Sequence, residues 1–217
     1  MKKIMFNDRY GLTQAVLEGR KTQTRRILNP TMLFIRMKTF EGWSKEDIGS
    51  WKASCMKRLY AAQGEELQQM IDCALQHSRY KLGETIAIAQ KYEDMAKDDD
   101  FFRFCCKKGI SLGRIIHEKG CHNKMFVKAD LMPHCIRITN IRVERLQEIS
   151  EGDCLKEGIW RDDNVGLEGT TYWYHGLANS SFRTAQEAYA ALIDKISGKG
   201  TWEGNPWVFV YDFELVK

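Results

Sequence analysis

Hydrophobic positions along the chain follow two rhythms, one of helical period and one of strand period. Leu12, Ala15 and Val16 recur at i, i+3 and i+4, with Asp8 as N-cap and Gly19 where a left-handed C-terminal cap is wanted. A short helix ending at Gly19 is therefore predicted. The next stretch, Arg20 to Leu28, carries β-branched residues without apolar alternation and stops at Asn29-Pro30, so it reads as a loop or short strand displaying polar groups. A strand is expected over Leu33 to Phe40. Ser44 with Asp47 resembles a capping box, and Ile48, Trp51, Cys55 and Leu59 continue as a helical stripe. A second stripe follows Gly64 in Leu67, Met70, Ile71, Ala74 and Leu75, so residues 44–78 predict a helical pair inserted into a mixed fold.

Gly83-Glu84 turns into the nearly continuous apolar run from Thr85 to Gln90, the pattern of a buried strand. The acidic run Glu93 to Asp100 reads as a solvated loop, residues 101–118 as a helix and Met125 to Ala129 as a short strand. The strongest strand follows Pro133. In it Ile136 and Ile138 share a face, then Ile141 and Val143 resume with the phase shifted by one, which predicts a β-bulge near Asn140. Such slips occur where a sheet curls into a barrel. Ser150 with Asp153 starts a short helix stopping at Gly158, and Thr184 with Glu187 starts a longer one striped by Ala185, Ala188, Tyr189, Leu192, Ile193 and Ile196. The closing strand runs from Trp207 to Leu215. Helices and strands do not alternate regularly, so the class is α+β rather than a doubly wound parallel sheet.

Composition narrows this picture. At 217 residues and 43% hydrophobic content, the chain can bury a full core within one domain. Three prolines and 11% aromatic residues exclude disordered and collagen-like classes. No apolar run approaches the roughly 18 residues a membrane-spanning helix needs. The start, Met1 to Asp8, turns polar before a signal-peptide core can form, so a cytoplasmic location without membrane partners is expected. The seven cysteines are an odd number in a chain of this length, which favours reduced thiols.

The net charge of +4 gains meaning once it is located. Residues 1–30 hold seven basic and two acidic side chains, a local +5, and the remainder sums to −1. Arg20, Lys21, Arg25 and Arg26 lie within seven residues that contain no acid. Arginine forks match phosphate oxygens, so this segment is a candidate contact for a polyanion. Arg137, Arg142 and Arg145 can extend the same surface, and Trp160, Trp173 and Trp202 supply rings on which bases could stack. Cys105, Cys106, His117, Cys121, His122, His134 and Cys135 raise the question of a metal. Their spacing opposes zinc: no C-x-x-C occurs, the pairs are adjacent, and adjacent side chains diverge on a helix or strand. No metal and no cofactor is assigned.

Four segments together resemble a known family. Gly19-Arg20-Lys21-Thr22-Gln23-Thr24-Arg25-Arg26 resembles the G-x-K-x-x-x-x-R signature of ASCH domains, and Lys81-Leu82-Gly83-Glu84 resembles the turn that leads into one of their barrel strands. Ile138 to Ile159 and Asn205 to Phe213 resemble the family's long strand with its following helix and its closing strand, as in longer phage- or prophage-associated members. The resemblance implies a single domain over residues 1–217: a PUA-like β-barrel of α+β class, with helical insertions at about 44–78 and 92–122. It implies a ligand, RNA or a modified nucleoside, held in a basic cleft by Gly19, Arg20, Lys21, Arg25 and Arg26. Some small members are amidohydrolases that deacetylate N4-acetylcytidine with a Lys, a Thr and a Glu; by motif these fall on Lys21, Thr24 and Glu157. In that chemistry Thr24 Oγ attacks the acetyl carbonyl, Lys21 serves as base and Glu157 protonates or orients the leaving group. A third reading is a non-enzymatic, phage-related interaction protein that uses the 44–78 helices as its contact surface.

Overall fold

The computed structural model describes residues 1–29, 44, 63–97, 99–115, 117–163, 169–176 and 181–216. The strand expected over Leu33 to Phe40 and the first helix of the 44–78 pair lie outside them. Among the described residues the strands are β1 (Lys3–Ile4), β2 (Gln23–Ile27), β3 (Thr85–Ile88), β4 (Cys135–Arg145), β5 (Trp160–Asp162), β6 (Thr171–Trp173) and β7 (Trp207–Val216). β4 and β7, the two longest strands, pair antiparallel along their length at the centre of a sheet ordered β1-β3-β4-β7-β2. β1 joins β3 in parallel and the other pairings are antiparallel. The α+β class follows, and the described strands form an open mixed sheet with β1 and β2 at its edges rather than a closed barrel. A small β5–β6 hairpin stands apart from it.

The phase slip in β4 is real. Ile138 pairs with Phe213 and Asn140 with Asp212, so Thr139 is the extra residue of a bulge. Its consequence is a division of side chains. Ile138 before the bulge and Ile141 and Val143 after it stay on the face of Phe213, Tyr211 and Phe209, while Arg142 and Glu144 move to the face of Asp212 and Val210. Without the extra residue the two sets would exchange faces.

Helix ends follow the sequence signals closely. Helix α1 (Leu12–Leu17) is followed by Gly19 at φ 75°, whose amide bonds to Val16. Its start differs from expectation: Asn7 caps a 3-10 turn, Asp8–Tyr10, and Gly11 at φ 61° opens the helix, while Asp8 accepts from the Thr13 hydroxyl at 2.5 Å. Helix α2 (Gly64–Gln76) packs on β4 and places Ala74 against Leu28, Val143 and Trp207. The supposed loop after β3 is instead helical, as α3 (Tyr92–Met95) and α4 (Asp99–Lys107), followed by α5 (Leu112–Ile115). Their apolar faces, Tyr92, Met95, Phe101, Cys105 and Ile115, bury a separate small core with Val127 and Met132. The apolar periodicity there was masked by acidic residues on the outward face. No strand forms over Met125 to Ala129, because the Asn123 side chain takes the Met125 amide and turns the chain into 3-10 geometry.

Two helices cover the main core. α6 (Glu151–Lys156) is capped by Ser150, which accepts the Asp153 amide at 3.1 Å, and ends at Glu157 with Gly158 at φ 104°. α7 (Ala185–Ser197) begins with the Thr184–Glu187 capping box. It presses Ala188, Tyr189, Leu192 and Ile193 into the cluster that holds Ile136, Ile138, Val208 and Val210. α6 packs between α7 and β2, which brings its acidic residues over the sheet's edge strand.

Candidate functional site

The basic segment folds inward. Lys21 is 2% exposed and Arg25 6%, an arrangement that costs several kcal/mol per ion unless opposite charges and hydrogen bonds compensate. Compensation comes from α6. Lys21 Nζ forms an ion pair with Glu157 Oε2 and donates to the Glu157 carbonyl at 2.8 Å. The amides fix this placement: Lys21 N bonds to the Ala15 carbonyl and Thr22 N to the Lys156 carbonyl, which ties the segment between α1 and the end of α6. Gly158 completes the fit, since a Cβ there would lie 3.2 Å from Leu12 and 3.8 Å from the Lys21 stem.

Arg25 is held on several sides. Its Nη2 donates to Glu144 Oε1 at 2.6 Å and to Asp153 Oδ2 at 3.1 Å, Nε reaches Glu144 at 3.2 Å, and Nη1 reaches Gln23 Oε1 and, at 3.4 Å, Glu157 Oε1. Its guanidinium lies 6.0 Å from the Tyr189 ring centre. Gln23, fully buried, donates to Asp153 at 3.1 Å and to Asp212 at 2.6 Å. Arg142, delivered to this face by the bulge, bridges Glu144 at 2.9 Å, Asp153 at 2.5 Å and Asp212 at 2.8 Å. A continuous charge network therefore joins β2, β4, β7 and α6.

Burial shapes the proton affinities. It pulls the Lys21 ammonium below its ordinary pKa, with Arg26 and Arg25 adding to the effect and Glu157 opposing it. Burial alone raises the Asp153 carboxyl, but the Gln23 hydrogen bond and the charges of Arg142 and Arg25 outweigh it and hold the group below 3.8. The Cys154 thiol, desolvated behind the network, is pushed up to about 12. It is a packing residue, not a nucleophile.

The other members of the segment go elsewhere. Arg20 pairs with Glu18 at 2.7 Å and stacks 4.0 Å over Trp160, which itself stacks on Trp173 at 5.0 Å. This three-layer stack borders a cavity of about 440 Å³ that Asp8, Glu18, Gly158 and His175 also line. Gly19 contributes its left-handed turn. Thr24, 4% exposed, pairs with Tyr211 across the ladder and faces away from Gln23 and Arg25; its hydroxyl makes no side-chain hydrogen bond among the described residues. Lys21 and Glu157 are thus brought together, and no hydrogen bond joins Thr24 to either.

Arg26 shares the Thr24 face and enters a second cavity of about 280 Å³, lined by Lys3, Met5, Arg26, Ile27, Arg79, Tyr80, Phe209 and Tyr211. Tyr80 and Tyr211 meet edge to face at 5.2 Å, Phe209 stacks on Tyr211 at 5.8 Å, and Ser78 Oγ lies 2.8 Å from the Tyr211 hydroxyl. Arg26 is anchored by the Met5 carbonyl at 2.7 Å, and Arg79 rides over the Tyr80 ring at 5.6 Å. The described lining holds three cations, three aromatic rings and no carboxylate. Sequence reasoning missed Lys3, Arg79, Tyr80, Phe209 and Tyr211, because the cavity assembles from β1, β2, β7 and the α2–β3 connection. It also missed Gln23, Glu144, Asp153 and Asp212 as partners. The polar phase of β4 after its bulge was the available signal. Neither protein-family models nor curated proteins nor solved structures yield a match to this chain.

Lys21→Met and Glu157→Gln should each destabilise the protein by about 3–5 kcal/mol in urea unfolding, since each strands an opposite charge in the interior. The double variant should lose clearly less than the sum; strict additivity would mean the pair is not coupled. The depressed Asp153 pKa implies stability that is present above the ordinary carboxylate value and lost as pH falls through the folded-state value. Asp153→Asn should accordingly lower the melting temperature most at neutral pH, with the gap to wild type closing below pH 3.8.

Proposed function

We propose that the chain is an RNA- or modified-nucleoside-binding protein of the PUA-like ASCH type, with the ligand held in the Arg26–Arg79 cleft. The observation that carries this reading is the composition of that cleft: three cations, three aromatic rings and no acid among its described lining residues. Nucleosides offer a flat π-face for aromatic contact, and a phosphate offers the bidentate oxygens that suit a guanidinium. The cleft's size suits one base with its sugar rather than a duplex. Of the signature segment, Arg26 is the cation that lines this cleft, while Lys21 and Arg25 serve the interior network behind it and Arg20 stacks on Trp160. The Phe6 ring connects the two regions, with Lys21 Nζ 5.9 Å and the Arg26 guanidinium 5.8 Å from its centre.

Deacetylation of an N4-acetylcytidine-type nucleoside is the second reading, favoured by the Lys21–Glu157 pair. A desolvated amine whose pKa burial lowers, fixed by one carboxylate, is the kind of group that can take a proton from a nucleophile. Thr24, with a hydroxyl uncommitted to any hydrogen bond among the described residues, is the matching nucleophile.

Anisotropy titrations with short single-stranded RNA and with nucleoside monophosphates should give binding that weakens with salt. Arg26→Ala and Arg79→Ala should each reduce affinity by about tenfold, in line with one charge-assisted contact each. Binding that is absent at low salt, or indifferent to both substitutions, rules the reading out. For the second reading, incubation with N4-acetylcytidine should release acetate, and the near-isosteric Thr24→Val should abolish release while leaving the melting temperature within a few degrees of wild type. Acetate release undiminished in Thr24→Val removes the proposed nucleophile.

A further inference from the structure

Among the described residues, outside the charge network and both cavities, one cluster combines three metal-ligating chemistries. Glu93, Cys121 and His122 each present one donor atom, and the three atoms lie within 4.8 Å of one another. Glu93 stands in the first turn of α3, Cys121 ends the 3-10 turn Lys119–Cys121 and His122 caps it. Adjacent side chains diverge on a regular helix or strand, which is why the spacing of the Cys/His-rich stretch opposes zinc. At the exit of a single 3-10 turn, Cys121 and His122 instead converge on the same carboxylate.

Gly120 makes the approach possible. A Cβ at that position would sit 2.5 Å from the Tyr92 ring, so the turn can close on α3 only with glycine there. Tyr92 in turn is buried and accepts the Lys128 amide on its hydroxyl at 2.9 Å, which locks the ring the turn packs against. The three donors are graded in exposure. Cys121 is buried at 5% exposure, whereas the His122 side chain is 80% exposed. Glu93 is oriented by a division of its oxygens: Lys91 Nζ holds Oε1 at 3.3 Å, and His122 Nδ1 meets Oε2 at 2.5 Å.

We propose that Glu93, Cys121 and His122 form a binding site for a single divalent cation of the zinc class, with water in the fourth position. A thiolate beside an imidazole selects borderline-soft transition metals over calcium and magnesium, which require oxygen ligands. Tetrahedral coordination with metal–sulfur and metal–nitrogen bonds of about 2.3 and 2.0 Å sets donor atoms about 3.5 Å apart, so the 2.5 Å His122–Glu93 contact widens to admit the cation while the cluster stays within the 4.8 Å that its donors already span. The cation takes the place of the His122–Glu93 hydrogen bond, with the Cys121 proton released to solvent and Lys91 left on the remaining carboxylate oxygen. The open position faces water on the exposed His122 side. Binding also ties α3 to the turn and so closes the chain segment that forms the second small core, which adds to its stability.

The test is a titration of the full-length, metal-stripped, reduced protein with Co²⁺, followed by competition with Zn²⁺. One equivalent should bind with a thiolate-to-cobalt charge-transfer band and the intense visible bands of tetrahedral cobalt, and Zn²⁺ should displace it and raise the melting temperature. Cys121→Ser should abolish the charge-transfer band. Glu93→Gln and the exposed, fold-neutral His122→Ala should each weaken binding by at least about tenfold. Cys106→Ser, which removes an exposed thiol elsewhere, should leave the titration unchanged. The proposal is overturned by the absence of a thiolate band, by a band that survives Cys121→Ser or is lost in Cys106→Ser, or by binding unaffected by His122→Ala.

Discussion

The structure turns on keeping Lys21 and Arg25 charged or hydrogen-bonded in the interior. Removing a cation from water costs more than most single contacts return, so elements packed around these two side chains supply oxygens to them. α6 supplies Asp153 and Glu157, β4 supplies Glu144 and β7 supplies Asp212 through Gln23. Three cations, counting Arg142, face four carboxylates. The network is close to balanced, and its parts are interdependent. α6 has to begin at Ser150 and stop at Glu157 for Asp153 and Glu157 to fall over β2, and the Ser150 cap and Gly158 set those two ends.

The bulge at Thr139 belongs to the same constraint. A regular β4 would turn Arg142 and Glu144 toward the aromatic face and expose Ile141 and Val143 to the charges. One extra residue reconciles an apolar first half with a charged second half on a single strand. It also keeps the two faces chemically distinct. On one side lie the buried ion pairs; on the other, Tyr211, Phe209 and Arg26 form part of the cleft. β2 serves both, because Gln23 and Arg25 alternate with Thr24 and Arg26. The paired interior charges hold the strand whose opposite face carries the buried Thr24 and brings Arg26 to the cleft.

The helices and strands with strong periodicity were legible from the residues: the caps at Ser150 and Thr184, the stop at Gly19, the closing strand and even the phase slip near Asn140. Each is a local signal, written in residues a few positions apart. The failures had a common cause. Acidic residues on the outward faces of α3 and α4 hid an apolar inner face, and Asn123 redirected an apparent strand by taking a backbone amide. The aromatic cleft had no local signature, since it gathers side chains from distant segments, and of the Glu93–Cys121–His122 cluster the adjacent Cys121 and His122 stood out while their carboxylate partner lies in another segment.

By itself, the sequence determined that residues 20–26 carry an unusual run of cations and that the class is α+β, whereas the pairing of Lys21 with Glu157 came from the family resemblance. Only the tertiary structure decided what those cations do. A formal charge acquires its role from its surroundings, through desolvation and the distance to opposite charge, and neither quantity exists before the chain folds. Lys21 and Arg25 became interior groups because α6 docks its carboxylates over the β2 edge; Arg26, one residue further, points the other way and meets the cleft. A single step along a strand separates the two outcomes, because strand geometry alternates faces at every residue.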